Sequence, residues 1–326
     1  MKAILPVAGI GSRLRPQTHT VPKALVHVAG KPILGHILDT LIPIGITEVV
    51  LIVGYLGDKI VDYVQSSYDL KVHFVNQAER KGLGHAIYLA KELFHNNEPV
   101  LIVLGDTVFE ADLKAALTGG YSCIGVKAVD NPQKFGIVEL QDGFITRLVE
   151  KPSEPPTNLA VVGVYYINES GVLFTALQEI IDHDIRSKGE FQLTDALQLM
   201  VERGFRLSVF DIDQWYDCGQ PDTLLSTNRC LLGKNGPPPE IPGSILIPPV
   251  YIPESAKVSN CIIGPFVSVA EQAEISNSIV KDCIINEGAK VENMLLSNSL
   301  IGEHAVVEGN FTQLNIGDSS AIKFTY

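Results

Sequence analysis

The sequence predicts an α/β chain in two parts: a doubly wound, mainly parallel sheet over residues 1–232 and a short left-handed parallel β-helix over 244–326, with a Pro/Gly linker at 233–243 between them. Three observations predict it. Apolar runs rich in Val, Ile and Leu alternate with amphipathic stretches up to about residue 232. Three consecutive prolines, Pro237 to Pro239, then stop any helix. Beyond them, aliphatic residues recur every six positions.

The expected strands of the first part are Ile4–Val7, Val49–Val53, Val72–Val75, Val100–Leu104, Ile124–Val129, Val161–Ile167 and Leu207–Ile212. Their lack of alternation implies burial on both faces. The helices expected between them are Leu34–Leu41, Asp58–Gln65, Gly84–Phe94, Leu113–Leu117, Gly171–Ile181 and Leu193–Glu202. Strands alternating with helices make a doubly wound sheet, whose ligands bind beyond the carboxyl ends of the strands. Gly9–Gly11 and Gly105–Asp106 both fall at such ends. In the second part the period runs through Ile252 and Val258, then Ile263, Val269 and Ile275, then Ile285 and Val291, then Ile301 and Val307. It is interrupted near 276–284 and 293–300, so irregular coils are expected; a small antiparallel β-sandwich is the alternative.

A net charge of −12 argues against nucleic acid or an anionic membrane as the main partner, while leaving room for a local basic cleft. Hydrophobic residues at 46% exclude disorder. Five cysteines, an odd number without CxxC spacing, point to free thiols in a reducing cytoplasm. The N-terminus lacks the apolar region of a signal peptide, and no apolar run is long enough to span a bilayer. A cytoplasmic location is expected.

Residues 4–32 carry the first chemical signal. An apolar run ends in Gly9 and Gly11, and Arg13, Arg15 and Lys23 follow. Glycines let backbone N–H groups approach an anion, and the basic side chains add charge around it. Leu14 occupies the position of the third glycine of a dinucleotide fingerprint, and Gly30-Lys31-Pro32 is not a P-loop ending. The alternative is a tight strand-to-helix turn.

Asp106, ending the strand at 100–104, suits Mg²⁺ held with phosphate oxygens, or else caps a helix. Asp217, before a helix starting near Pro221, is a second metal carboxylate or a turn residue. Gln77 offers both a donor and an acceptor to a pyrimidine edge, with Gly82 and Gly84 exposing backbone nearby. The competing reading is an ordinary loop. Glu150-Lys151 stands before a proline-rich bend and is otherwise a surface salt bridge. The histidines show no metal-ligand spacing.

In this order the motifs resemble those of the sugar-phosphate nucleotidyltransferases, in particular the glucose-1-phosphate thymidylyltransferases and uridylyltransferases. The family pattern G-x-G-T-R-x(n)-P-K reads here Gly9-Ile10-Gly11-Ser12-Arg13 through Pro22-Lys23, with Ser12 for the usual threonine and Ala8 where many members have glycine. The stretches QAERKGLGHAI and GEFQLTDAL look like the uridylyltransferases, while WYDCGQPDTLL and the appended β-helix look like the long thymidylyltransferases. The resemblance implies a Rossmann-like nucleotidyltransferase fold. It implies catalytic roles for Arg13, Lys23 and Asp106, triphosphate contacts at Gly9 and Gly11, and base reading at Gln77 and Gly82. A sugar-phosphate site at Gly136, Glu150, Lys151 and Tyr165 follows, with Gly163-Val164-Tyr165 as its wall, and Mg²⁺ on Asp106 and Asp217. The expected partners are dTTP or UTP and a sugar 1-phosphate; neither nucleic acid nor membrane is expected, and a homo-oligomer is. A catalytically idle nucleotide-sugar-binding subunit is the alternative function. The segment 311–326 suggests no role.

Overall fold

The computed structural model describes residues 1–95, 97–234 and 236–309; the segment 311–326 lies outside them. The chain forms two compact units, Met1–Thr227 and Asn228–Tyr326.

In the first unit β1 (Lys2–Pro6) leads into three short 3₁₀ turns, and β2 (His27–Val28) pairs with β3 (Lys31–Pro32) ahead of α1 (Ile33–Leu41). Next come β4 (Glu48–Val53), α2 (Gly57–Ser67), β5 (Lys71–Asn76), α3 (Leu83–Tyr88) and β6 (Val100–Val103). These strands align in parallel in the order β5-β4-β1-β6. The chain winds from β1 outward through β4 to β5, then returns to place β6 on the other side of β1. The order therefore reverses between β1 and β6, and a crevice opens there at the carboxyl ends of both strands. Ile4, Val50 and Ile102, wholly buried, lie in the core under this point.

The rest of the sheet is mixed rather than mainly parallel. β8 (Ser122–Ala128), β9 (Gly136–Gln141), β10 (Phe144–Glu150), β11 (Leu159–Ile167) and β12 (Leu207–Asp211) extend it in the order β6-β11-β8-β12-β10-β9. Only β12–β8 is parallel among these pairings. The hairpin β9–β10, joined by a turn at Asp142-Gly143, is an antiparallel pair that mixes buried residues such as Ile137, Val138, Ile145 and Leu148 with exposed ones. The remaining pieces are β7 (Thr107–Glu110), α4 (Leu113–Thr118), α5 (Ser170–Asp182), α6 (Leu193–Glu202), β13 (Gln214–Asp217) and α7 (Pro221–Leu232). β7 and β13 make a separate antiparallel ribbon in which Asp217 faces Thr107.

In α1, His36 is largely buried and its Nε2–H donates to the Val28 carbonyl at 2.8 Å; burial lowers its pKa from the ordinary 6.5 and outweighs that hydrogen bond, which favours the charged ring. Protons then bind the unfolded chain before the folded one, so stability is full above about 6.5 and is lost as pH falls toward the depressed folded value. His36→Gln should therefore show a smaller drop in melting temperature between pH 7 and 5 than the parent; equal slopes in a calorimetric pH series would contradict this account.

In the second unit the described strands all pair in parallel. Ile245 pairs with Ile262 and Ile262 with Ile279, 17 residues on each time, and Ile279 pairs with Leu295, 16 residues on. Lys257, Glu274, Lys290 and Val306 stack in the same way. The inward aliphatics Ile263, Val269, Ile275, Val280, Ile285 and Val291 form the core. Their spacings explain the interrupted period: a step of five residues replaces six at Ile275–Val280 and again at Val280–Ile285, so each turn is 16 or 17 residues and not 18.

Candidate active site

The turn after β1 is built around Gly11, whose φ of +61° is left-handed and whose added Cβ would lie 2.9 Å from Thr18 Cγ2 and 3.0 Å from Lys23 Cβ. Only glycine suits both conditions. The Gly11 carbonyl accepts from Leu14 N and from the Thr18 hydroxyl, each at 2.8 Å, which ties the loop down and leaves Gly9 exposed with open space around it. Residues 12–25 are successive 3₁₀ turns instead of a long helix, and one of them carries Lys23 toward β6. Lys23 Nζ lies 2.6 Å from Asp106 Oδ2; the lysine side chain is 12% exposed and the aspartate 39%.

The ribbon β7–β13 brings in the second carboxylate. Asp217 opposite Thr107 stands one register from Asp106. Its Oδ1 accepts from Gly219 N at 2.8 Å, and an added Gly219 Cβ would sit 2.8 Å from that oxygen and 3.4 Å from Arg13 Nη2. Arg13 thus shares the Asp217–Gly219 corner. Between them, burial and the charges of Asp106 and Asp217 push the Cys218 thiol up to about 12, so it stays protonated and is no nucleophile. A cavity of about 200 Å³ touches Val7, Gly9, Lys23, Leu83, Gly105 and Asp106. A larger one, about 680 Å³, lined by Phe94, Asn97, Ser170 and Phe174, is beside the start of β6 and the end of β11, at the opposite edge of the sheet from all the candidate residues.

A second cluster forms where β9 and β10 pair Gly136 with Glu150. Glu150 accepts from the Thr194 hydroxyl at 2.8 Å and meets Lys151 Nζ at 3.1 Å; its side chain is 10% exposed and that of Lys151 half exposed. Tyr165 is buried in the core, and burial, then the charges of Glu150 and Asp106, raise its phenol above the ordinary range, so it stays neutral.

A third cluster holds Gln77, buried at the end of β5. Its Nε2 donates to the Gly82 carbonyl at 3.2 Å and lies 3.5 Å from His85 Nδ1. Gly82 has φ +111°, and an added Cβ would come 2.5 Å from the Phe191 carbonyl. That carbonyl accepts from Gly84 N, and Phe191 N donates to the Lys81 carbonyl, both at 2.8 Å.

Arg13, Lys23, Asp106 and Asp217 are therefore brought together around the glycine turn, while the Gln77 and Glu150 clusters stand apart and are connected through residues 187–195. Sequence reasoning assigned no role to Thr194, His85 or Asp195. Burial raises the Asp195 carboxyl, whose Oδ1 accepts from Ser187 at 2.8 Å and whose Oδ2 is buried without a hydrogen-bond partner among the described residues. The signals for Thr194 and Asp195 were their place at the start of a helix and within the stretch GEFQLTDAL.

For Mg²⁺, two partly exposed carboxylates beside basic side chains suit a hard cation that takes one or two carboxylates and completes its shell with phosphate oxygens and water. Among the described residues no cluster of three or more His, Cys, Asp or Glu forms an all-protein cage. The donor set fits, and Asp106 and Asp217 would be the holders.

A nucleotidyl transferase family model matches residues 2–233. A low-salt glycan biosynthesis nucleotidyltransferase of Haloferax volcanii, Agl11, is 36% identical over 242 residues, 71% of this chain and 66% of that protein. The bifunctional protein GlmU of Methanocaldococcus jannaschii is 36% identical over 239 residues, 72% of this chain and 55% of that protein. The chain thus spans just over half to about two-thirds of the length of these relatives. A glucose-1-phosphate thymidylyltransferase of Streptomyces griseus matches over more of both chains, 89% and 88%, at 31% identity. Among solved structures, a UDP-glucose pyrophosphorylase complexed with UDP-glucose is similar with a TM-score of 0.64 at 26% identity, covering 72% of this chain and 99% of that one. With the switch-point crevice, the glycine turn and its paired aspartates all inside the matched segment, the chain belongs to the nucleotidyl transferase family.

Proposed function

We propose that this chain transfers a nucleotidyl group from dTTP or UTP to a sugar 1-phosphate, glucose 1-phosphate in the first instance, in a Mg²⁺-dependent reaction that releases pyrophosphate. The observation that carries the reading is the convergence of Arg13, Lys23, Asp106 and Asp217 on the crevice between β1 and β6. The names of the similar proteins supply the nucleotide and sugar classes.

The attacking oxygen of a sugar phosphate is already ionised near neutral pH, so no general base is required. A phosphate oxygen of the sugar attacks the α-phosphorus of the nucleotide, the bond from that phosphorus to the bridging oxygen breaks, and pyrophosphate departs. The difficulty is bringing two anions together, and positioning with positive charge answers it. In this reading the backbone around Gly9 and Gly11 cradles the triphosphate, Arg13 faces the leaving pyrophosphate, and Lys23 contacts phosphate. Lys151 approaches the sugar phosphate, and Glu150, fixed by Thr194, accepts from sugar hydroxyls. Bound Mg²⁺ would add charge neutralisation at the phosphates. A panel of nucleoside triphosphates against several sugar 1-phosphates, read by pyrophosphate release, tests the proposal; nucleotide binding without any release would favour the idle regulatory subunit.

We read the second unit as a left-handed β-helix that joins copies of the chain. The short turns of parallel strands support the helix. The stacked row Ile245, Ile262, Ile279 and Leu295 supports the contact: Ile245, Ile279 and Leu295 are 61%, 45% and 74% exposed, whereas the row Lys257, Glu274 and Lys290 is satisfied by its own ion pairs. Ending the chain near residue 234, or introducing Ile279→Asp with Leu295→Asp, should lower the assembly size in gel filtration with light scattering. An unchanged size would dismiss the contact role. All five cysteines are free, which fits a reducing compartment, and no helix among the described residues is long and apolar enough to cross a membrane.

A further inference from the structure

The side-chain amide of Gln77 has two N–H donors and one carbonyl acceptor, and its surroundings dictate which end faces the ligand. A backbone carbonyl can only accept, so the group 3.2 Å from Gly82 O must be the amide nitrogen. The same nitrogen lies 3.5 Å from His85 Nδ1, within reach of giving it the second N–H. A neutral imidazole carrying its proton on Nε2 presents Nδ1 as an acceptor, whereas an imidazolium has none. Burial lowers the pKa of His85, Lys81 lowers it further and Glu79 opposes them, so the ring is neutral at ordinary pH. Both donors of Gln77 are then turned toward the protein, and among the described residues its Oε1 has no protein partner.

We propose that His85 is a positioning residue for nucleotide choice: by accepting the second N–H of Gln77 it keeps Oε1 toward the base, where it takes a ring N–H. Uracil and thymine carry that N–H at N3. Cytosine, of the same size, has a bare acceptor nitrogen at N3, which would meet Oε1 lone pair to lone pair. Without His85 only the Gly82 contact orders the amide, and a flipped amide can offer a donor to cytosine. The proposal rests on the nucleotide-binding reading of Gln77 given above and adds to it the group that fixes the amide's direction.

The test compares equilibrium binding of UTP and CTP, by calorimetry, to the full chain and to His85→Phe and His85→Asn, with pyrophosphate release followed separately. Phenylalanine fills the space without an acceptor; asparagine restores one. The UTP-to-CTP affinity ratio should fall on the order of five- to tenfold in His85→Phe, the worth of one net hydrogen bond, and recover in His85→Asn. A merely structural role would weaken both nucleotides alike and leave the ratio alone. A wild-type ratio in His85→Phe, or a loss that asparagine does not restore, overturns the proposal. Should the ratio respond as expected while no pyrophosphate appears with any sugar phosphate, the positioning role stands and the catalytic reading falls.

Discussion

Asp106→Ala is expected to lower turnover by about 10²–10³-fold, the scale on which removing one placed charge-stabilising group acts in a water-poor site. Asp106 combines the two attributes that make the loss large. It lies in the turn between β6 and β7 at the switch-point crevice, and its Oδ2 holds Lys23, so removal frees a lysine that is 12% exposed and lets it move off the phosphate position proposed for it. Because the aspartate side chain is 39% exposed, the ion pair itself adds little to stability, under about 1 kcal/mol, and the fold should survive. Pyrophosphate release measured against circular dichroism and melting temperature separates the two effects. Near wild-type turnover in a folded Asp106→Ala protein would end the assignment of this crevice as the reaction site. Arg13→Ala should act in the same direction, since its guanidinium is at the corner made by Asp217 and Gly219.

Gly82→Ala should abolish detectable nucleotide binding at millimolar concentrations and lower the melting temperature. The backbone conformation, φ +111° and ψ 173°, belongs to a region essentially reserved for glycine, and forcing another residue into it costs about 1–3 kcal/mol. The new Cβ would also meet the Phe191 carbonyl at 2.5 Å, a contact with backbone that no side-chain rotation relieves. Relief requires residues 80–84 to part from Phe191, which disengages the carbonyl that orients Gln77. Binding isotherms alongside calorimetric melting test this. A variant that binds UTP normally would show that the loop can shift without disturbing the base site.

The parts of the fold that were legible are those written by local pattern. Continuous apolar runs gave β1, β4, β6 and the region of β8, and the helix over Leu193–Glu202 coincides with its expected bounds. What stayed hidden depended on distant pairing. Thr107–Glu110 and Gln214–Asp217 are four residues each, too short for a period, and neither half predicts the other across some hundred residues. Yet that ribbon sets Asp217 beside Asp106. The antiparallel half of the sheet was equally hidden, because Leu159–Ile167 is apolar enough to read as another parallel strand. Within the site, charged residues announced themselves by type and by the glycines near them, whereas the Thr194 hydroxyl and the His85 ring gain meaning only from what folding puts opposite them.

The ribbon also imposes an order on how the protein comes into being. Asp106 emerges from a ribosome long before Asp217, and the stretch between them contributes five strands to the central sheet and three helices around it before the ribbon can close. Domains made vectorially begin to gather their early strands as they appear, and a long loop is closed only when its far end is available. The glycine turn and the first carboxylate can therefore meet a nucleotide's phosphates while the second carboxylate is still to be synthesised. On the reading proposed above, a nascent chain holds half a reaction centre, and chemistry becomes possible only once nearly the whole first unit has been made.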